Sequence, residues 1–409
     1  MPHAAKAESG ASLTTLYVFG GPPDGQTPNG NLVEDAAGNS YGTTTLGGTY
    51  GDGAIFRMAP PATAGGAWTE TVLYSFKHGA DGGELFSGLV LGQDGALYGA
   101  ASFGGTFSAD CPSGCGTVFQ LSPPTTAGGA WTLKVLYSFS GGDGKIPEGG
   151  LVFGQDGTLV GTTTSGGQPT GTCCGTVFQL TPLATAGSAW TYTLLYAFQG
   201  LADGLRPSSA LVLGADGSLY GDTFYGGEAS CGRMGCGTVF QLVPPATPGG
   251  VWTKTTLHVF SYAFALGPNG PLVFDSQGAL YGTTFDIYGV GSAFQLAPPA
   301  TSGGAWTFTT IHGYTTAEGN PSSGLILDRK GALYGTTFDG GVSNAGTVFR
   351  LNPPSVPGSL WTETVLYSFT GGGDGSGPEA ALVFGADGGL YGVAATGGSG
   401  NGTVFERTL

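Results

Sequence analysis

The sequence predicts an all-β chain folded into a seven-bladed β-propeller, and three observations carry the prediction. Six tryptophans, Trp68, Trp131, Trp190, Trp252, Trp306 and Trp361, mark one point in successive copies of a repeat, at spacings of 63, 59, 62, 54 and 55 residues. A period of this size belongs to arrays and propellers. Glycine supplies 81 of 409 residues and charged residues only 10 %, while hydrophobic content stays at 40 %. With charge so far below the usual level of roughly 25 %, this is the composition of a turn-dense β protein. Finally, no window holds an apolar period of 3.6, and each copy consists of short β-branched and aromatic runs punctuated by Gly, Pro and Asp-Gly.

Each copy supplies four strands, as the third shows. Leu151 to Phe153 is strand A, Asp156-Gly157 the hairpin turn, Leu159 to Thr163 strand B, Thr176 to Leu180 strand C, and Trp190 to Phe198 strand D. Four-stranded blades around a channel remove exposed sheet edges. Strand A begins seven times, at Leu32, Leu89, Leu151, Leu211, Leu272, Leu325 and Leu382, but the last copy has no strand D after it. Leu13 to Phe19 matches strand D with no A-B-C before it. The N-terminal strand D is therefore expected to join the C-terminal strands A to C and close the ring. Residues 1–12 are expected to be a disordered tail and 13–409 a single propeller. Its blades span 32–76, 89–139, 151–198, 211–260, 272–314, 325–369, and 382–409 with 13–19.

A net charge of −15, with 12 Lys plus Arg and no basic cluster, argues against nucleic acid, because phosphate binding needs concentrated cations. No stretch reaches the roughly 20 apolar residues of a membrane span, and residues 1–13 lack the apolar core of a signal peptide. The cysteines nevertheless favour an oxidising compartment, so a secreted or cell-surface protein whose leader is absent from this sequence is expected. No cofactor motif is present, although a structural Ca2+ is compatible with the composition, and a monomer is expected.

The G-T-V-F and D-G-x-L-Y-G-T-T repeats resemble the bacterial GloVer tandem repeats, found in proteins with varied surface-anchoring tails. The likeness covers nearly the whole chain and implies a surface or secreted location, without implying an activity or catalytic residues. The D-G-x-L-Y-G-T-T portion is also similar to sensor-type propeller repeats, with Tyr where those often carry Trp.

Recurrence separates scaffold from site, since a residue present in every copy cannot build one asymmetric site. By this test Tyr98, Tyr220, Tyr281, Tyr334 and Tyr391 pack between blades, the tryptophans anchor strand D, and Asp94, Asp156, Asp216 and Asp387 serve hairpin turns. Gly38-Asn39-Ser40-Tyr41-Gly42 fits a G-x-S-x-G pattern, but the repeat places Ser40 inside a hairpin, where the strand-to-helix elbow cannot form. His258 and His312 replace the strand D tyrosine in adjacent copies and read as rim packing rather than as a ligand pair, so no metal site is assigned.

The departures concentrate in the B-to-C loops. From the Gly of L-Y-G to the Gly before strand C the separations are 11, 17, 14, 16, 9, 11 and 10, so blades 2, 3 and 4 raise a wall on one side of a face. All six cysteines lie in that wall, as Cys111 with Cys115, Cys173 with Cys174, and Cys231 with Cys236. Pairing within each loop is the simplest reading; zinc held by C-x3-C and C-x4-C is the rival. The adjacent pair would form a strained vicinal ring or stay as two thiols.

Phe103, Phe107, Tyr225 and Arg233 in the wall, Tyr288 facing them, and Glu148, Arg206 and Glu379 at the channel mouth are the ligand-binding candidates. Asn29, Asn269 and Glu318 are expected beside the last three. Aromatics beside acids and Arg suit carbohydrate. The leading expectation is an extracellular binding module for a polysaccharide or other glycan. A polysaccharide hydrolase or lyase using Asp222, Asp286 and Asp339 is the alternative, because carboxylates roughly 5 to 9.5 Å apart permit glycoside hydrolysis. A structural or protein-interaction role is the third.

Overall fold

The computed structural model describes residues 12–409 except 64, 127, 169–172, 184–188, 228–233, 248, 262–266, 287–290, 302 and 357–358. Among the described residues the regular elements are β-strands arranged in seven antiparallel sheets, with no α-helix. No helix among them is long and apolar enough to cross a membrane. In the third blade the strands run Leu151–Phe153, Leu159–Gly167, Cys174–Thr181 and Thr191–Ala197. The two middle strands outrun their expected ends because Gly167 pairs with Cys174 after a shift in register. The first blade gains a fifth strand, Gly25–Pro28, which pairs with Ser40–Gly47.

Closure follows the expected route. Leu13–Val18 pairs with Thr403–Arg407, running from Leu13 opposite Arg407 to Val18 opposite Thr403. The sheet so formed joins the first strand to the last three of the chain.

The core lies between blades. The phenylalanine that ends strand D packs against the strand C phenylalanine of the next blade, tilted in Phe76 with Phe119 at 5.2 Å and edge-on in Phe139 with Phe178 at 5.1 Å and Phe369 with Phe405 at 5.1 Å. Phe19 on the N-terminal strand meets Phe56 at 5.1 Å, so the same contact bridges the closure. Such pairs contribute about 0.5–1.5 kcal/mol beyond their buried area. Nearer the other end of five of the sheets, the tyrosine before the strand B glycine meets the tryptophan of the next blade, as Tyr41 with Trp131, Tyr98 with Trp190, Tyr220 with Trp306, Tyr281 with Trp361 and Tyr391 with Trp68. Their hydroxyls donate to the hairpin acids, Tyr98 to Asp94 at 3.0 Å and Tyr391 to Asp387 at 2.8 Å. Those acids also accept backbone N–H groups of their own turn, which makes them scaffold. Ser40 is 1 % exposed in a strand opposite Met58, as its place in the repeat requires.

The glycine of L-Y-G recurs because the inter-blade phenylalanine sits over it. A methyl group on Gly99 would stand 2.6 Å from the Phe119 ring and 2.8 Å from Leu89, inside van der Waals contact. Gly99→Ala is therefore expected to destabilise the fold by about 1–3 kcal/mol through overpacking. Gly142→Ala, where a methyl meets nothing within 4 Å, should stay within about 0.5 kcal/mol of wild type. Urea denaturation of the two variants checks the contrast.

Candidate functional site

The loops leading into strand A and those leaving strand B meet at one end of every blade where both are described. Single bridges join them, Gly83 with Phe103, Lys145 with Ser165, Leu205 with Tyr225, Pro268 with Thr284, Pro321 with Thr337 and Ser376 with Thr396. Between these loops the channel mouth opens into a cavity of about 570 Å3. Its upper ring comes from the residue that follows the loop proline, Asn29, Glu148, Ser208, Asn269, Ser322 and Glu379, with Phe86 at the equivalent place. Seven equivalent positions thus carry different chemistry, which makes the mouth asymmetric although the ring is regular.

Arg206 precedes its loop proline with φ of 57°, and Ile146 and Thr27 hold the same left-handed conformation at 59° and 55°. Such backbone is sparsely populated by non-glycine residues and is retained where surrounding structure dictates it. It sets the Arg206 guanidinium 3.6 Å from the Glu148 carboxylate and 6.0 Å from the Phe224 ring centre. Burial raises the Glu148 carboxyl above the usual range, and Arg206 offsets part of that rise. Glu379, across the mouth, is raised by burial. Glu148, Arg206 and Glu379, singled out from the sequence, line one cavity.

Sequence reasoning missed three further lining residues, Phe224, Phe285 and Phe338. Each stands three positions after the glycine of L-Y-G in consecutive blades 4, 5 and 6, where the other blades have Thr45, Ser102, Thr164 and Ala395. That run of three was the available signal. The result is an aromatic arc on one side of the mouth, with Phe338 44 % exposed. The acids and Arg206 complete the remaining wall.

The other candidates lie away from the cavity wall. Phe103 stacks on His78 at 6.4 Å and 15°, and Phe107 is exposed beside the same imidazole. Tyr225 packs edge-on against Phe224 at 4.7 Å. Cys111 is bonded to Cys115 with Cα atoms 5.2 Å apart, Cys173 is bonded to Cys174, and Cys236 is disulfide-bonded and buried. Cys231, Arg233 and Tyr288 fall outside the described residues. Glu318, expected at the mouth, instead turns toward His312, 3.7 Å away.

The three aspartates occupy different environments. Asp339 accepts the Asn320 backbone N–H at 2.7 Å, and Asp286 is half-buried at the equivalent place in the preceding blade. Asp222 is 2 % exposed within strand B of blade 4. Four other blades have threonine there, and its hydroxyl donates to a loop carbonyl of the next blade, as Thr43 does to Ser87 at 2.8 Å and Thr283 to Ser323 at 2.9 Å. A carboxylate cannot donate; a carboxylic acid can. Burial pushes Asp222 up to about 7, with the Ser209 hydroxyl relieving only part of that rise.

A family model for the Gloeobacter/Verrucomicrobia repeat matches residues 5–173, 105–289 and 286–409. The chain belongs to that repeat family. No curated protein matches it. Among solved structures it is similar to the extracellular domain of a one-component system protein from B. thetaiotaomicron, with TM-score 0.58 and 10 % identity over 99 % of this chain and 42 % of that one. It is also similar to a Bacteroides uniformis protein named as a 6-phosphogluconolactonase, with TM-score 0.52 and 17 % identity over 90 % of each chain. At these identities the likeness concerns the fold alone.

Because Asp222 binds its proton more tightly folded than unfolded, stability should be greatest below about pH 4 for this group and fall as pH rises through about 7. Asp222→Thr restores the donor of the other blades without the titration. It is expected to raise stability at pH 8 by roughly 2–4 kcal/mol and to change little at pH 3.5, below the unfolded pKa of the carboxyl. Chemical denaturation of both proteins at the two pH values tests this.

Proposed function

We propose that this repeat protein binds carbohydrate at the channel mouth, as an extracellular module. The observation that carries the reading is the pairing of the Phe224, Phe285 and Phe338 arc with Glu148, Arg206 and Glu379 around one cavity of about 570 Å3. Sugar rings present apolar C–H faces and polar edges, so a flat aromatic surface can take the face while carboxylates and a guanidinium take the hydroxyls. A pocket of this size and mixed lining falls within the range of small-ligand sites. The disulfides in the raised loops support a secreted or surface location, because such bonds persist in oxidising compartments. Residues 13–409 would act as one unit, since every part of the mouth depends on the complete ring.

The measurement is binding of the full chain to a glycan array, followed by calorimetry on the best ligand. Phe338→Ala and Glu379→Gln are each expected to weaken binding at least about tenfold, equivalent to 1.4 kcal/mol, with thermal stability near wild type. Absence of affinity for every glycan class, or affinity indifferent to both substitutions, would remove the reading. A hydrolase or lyase reading would require products to appear in the same mixtures and to vanish with Asp286→Asn or Asp339→Asn.

A further inference from the structure

Each outer boundary between blades draws on the same four positions. At most boundaries strand D carries a tyrosine six residues after its tryptophan and a phenylalanine eight after it, and the following loop adds an acid, although the loop after Phe260 has none. The next blade's strand D adds the residue two after its own tryptophan. At most boundaries the tyrosine hydroxyl donates to the acid, as Tyr74 does to Asp81 at 3.0 Å, Tyr196 to Asp203 and Tyr367 to Asp374 at 2.9 Å. The neighbouring residue is Leu133, Lys254 or Leu13 in those three cases, with Lys254 reaching Asp203 at 2.9 Å.

The boundary between blades 5 and 6 departs at the first three positions together, and its fourth carries an acid, as Glu70 does beside Asp24 at the ring closure. His312 replaces the tyrosine, Tyr314 the phenylalanine, Glu318 the aspartate, and Glu363 arrives from the next blade. The ligand atoms of His312, Glu318 and Glu363 lie within 4.8 Å of one another, with His312 Nε2 3.7 Å from Glu318 Oε1. The other oxygen, Glu318 Oε2, accepts from the Thr315 N–H at 2.7 Å and the Thr315 hydroxyl at 2.8 Å, so the carboxylate is oriented by its own loop. His312 Nε2 and both Glu363 oxygens are buried with no hydrogen-bond partner within 3.5 Å, and both groups face the Glu318 carboxylate.

The Tyr314 side chain is an independent signal. It is 3 % exposed, its hydroxyl has no hydrogen-bond partner, and the charges nearest it are Glu363 and Glu318. A buried phenol in place of phenylalanine costs stability unless something at the boundary engages it. Histidine alone does not explain the change. His258 makes the same replacement one boundary earlier, yet it stacks on Phe308 at 4.0 Å and burial lowers it to about 4, the behaviour of a neutral packing ring.

We propose that His312 Nε2 and one oxygen each of Glu318 and Glu363 bind a divalent transition-metal ion, with Tyr314 beside it. One imidazole and two carboxylates form a mixed nitrogen and oxygen donor set that suits zinc and its neighbours better than calcium. Tetrahedral donors about 2.0–2.2 Å from zinc stand roughly 3.3–3.6 Å apart, so the present spacing needs only a small contraction. The ion would tie strand D of blade 5 to strand D of blade 6, outside the channel and separate from the glycan reading.

Chelator-treated full-length protein titrated with zinc chloride, followed by calorimetry and thermal shift, tests the site. Saturable uptake of one equivalent and a rise in Tm are expected. Glu363→Gln should weaken zinc at least about tenfold. His312→Tyr, which rebuilds the tyrosine-acid bond of the other boundaries and so retains the fold, should abolish the Tm response. No saturable uptake by wild type, equal affinity for calcium, or zinc affinity unchanged in both variants would overturn the proposal.

Discussion

The packing of one blade's strand D phenylalanine onto the next blade's strand C, over a glycine with no room for a methyl group, is the contact on which the ring depends. It occurs between blades, so no blade completes its core alone. Small sheets of four strands bury little by themselves, and the repeat therefore makes stability a property of neighbours. Closure through Leu13–Val18 is the same contact formed between the two ends of the chain, with Phe19 against Phe56 at 5.1 Å.

A frame this repetitive frees the positions that it does not use. The turn acids, the L-Y-G tyrosines and the tryptophans are all committed to holding blades together. Chemistry is left to the residue after each loop proline, to the residue three after the L-Y-G glycine, and to the outer boundaries. Asymmetry enters at these places, and both the channel mouth and the cluster at His312 consist of departures from the shared pattern.

Much of this was legible in the sequence because recurrence is a one-dimensional signal. Blade number, strand order, closure, and the structural roles of Asp94 and Tyr98 all follow from alignment of the copies. Glu148, Arg206 and Glu379 were legible as mouth residues because the loop proline fixes their place. Phe224, Phe285 and Phe338 were not, since a phenylalanine at the end of a strand looks like core until the curvature of the ring turns it into the channel. Glu318 was misplaced for a related reason. Sequence put it in a mouth loop, but the attraction of an imidazole on its own blade and the lack of an aspartate at the usual turn position direct it outward. Glu363 lies 45 residues from Glu318 in sequence, and only the inter-blade contact brings them together.

Hydrogen exchange on the full chain and on a chain shortened to residues 20–409 tests the dependence on neighbour contacts most directly. The account predicts that loss of the first strand strips protection first from strands C of blades 7 and 1, where Phe405 and Phe56 sit, and lowers it around the remaining ring. Undiminished protection in both blades would contradict it.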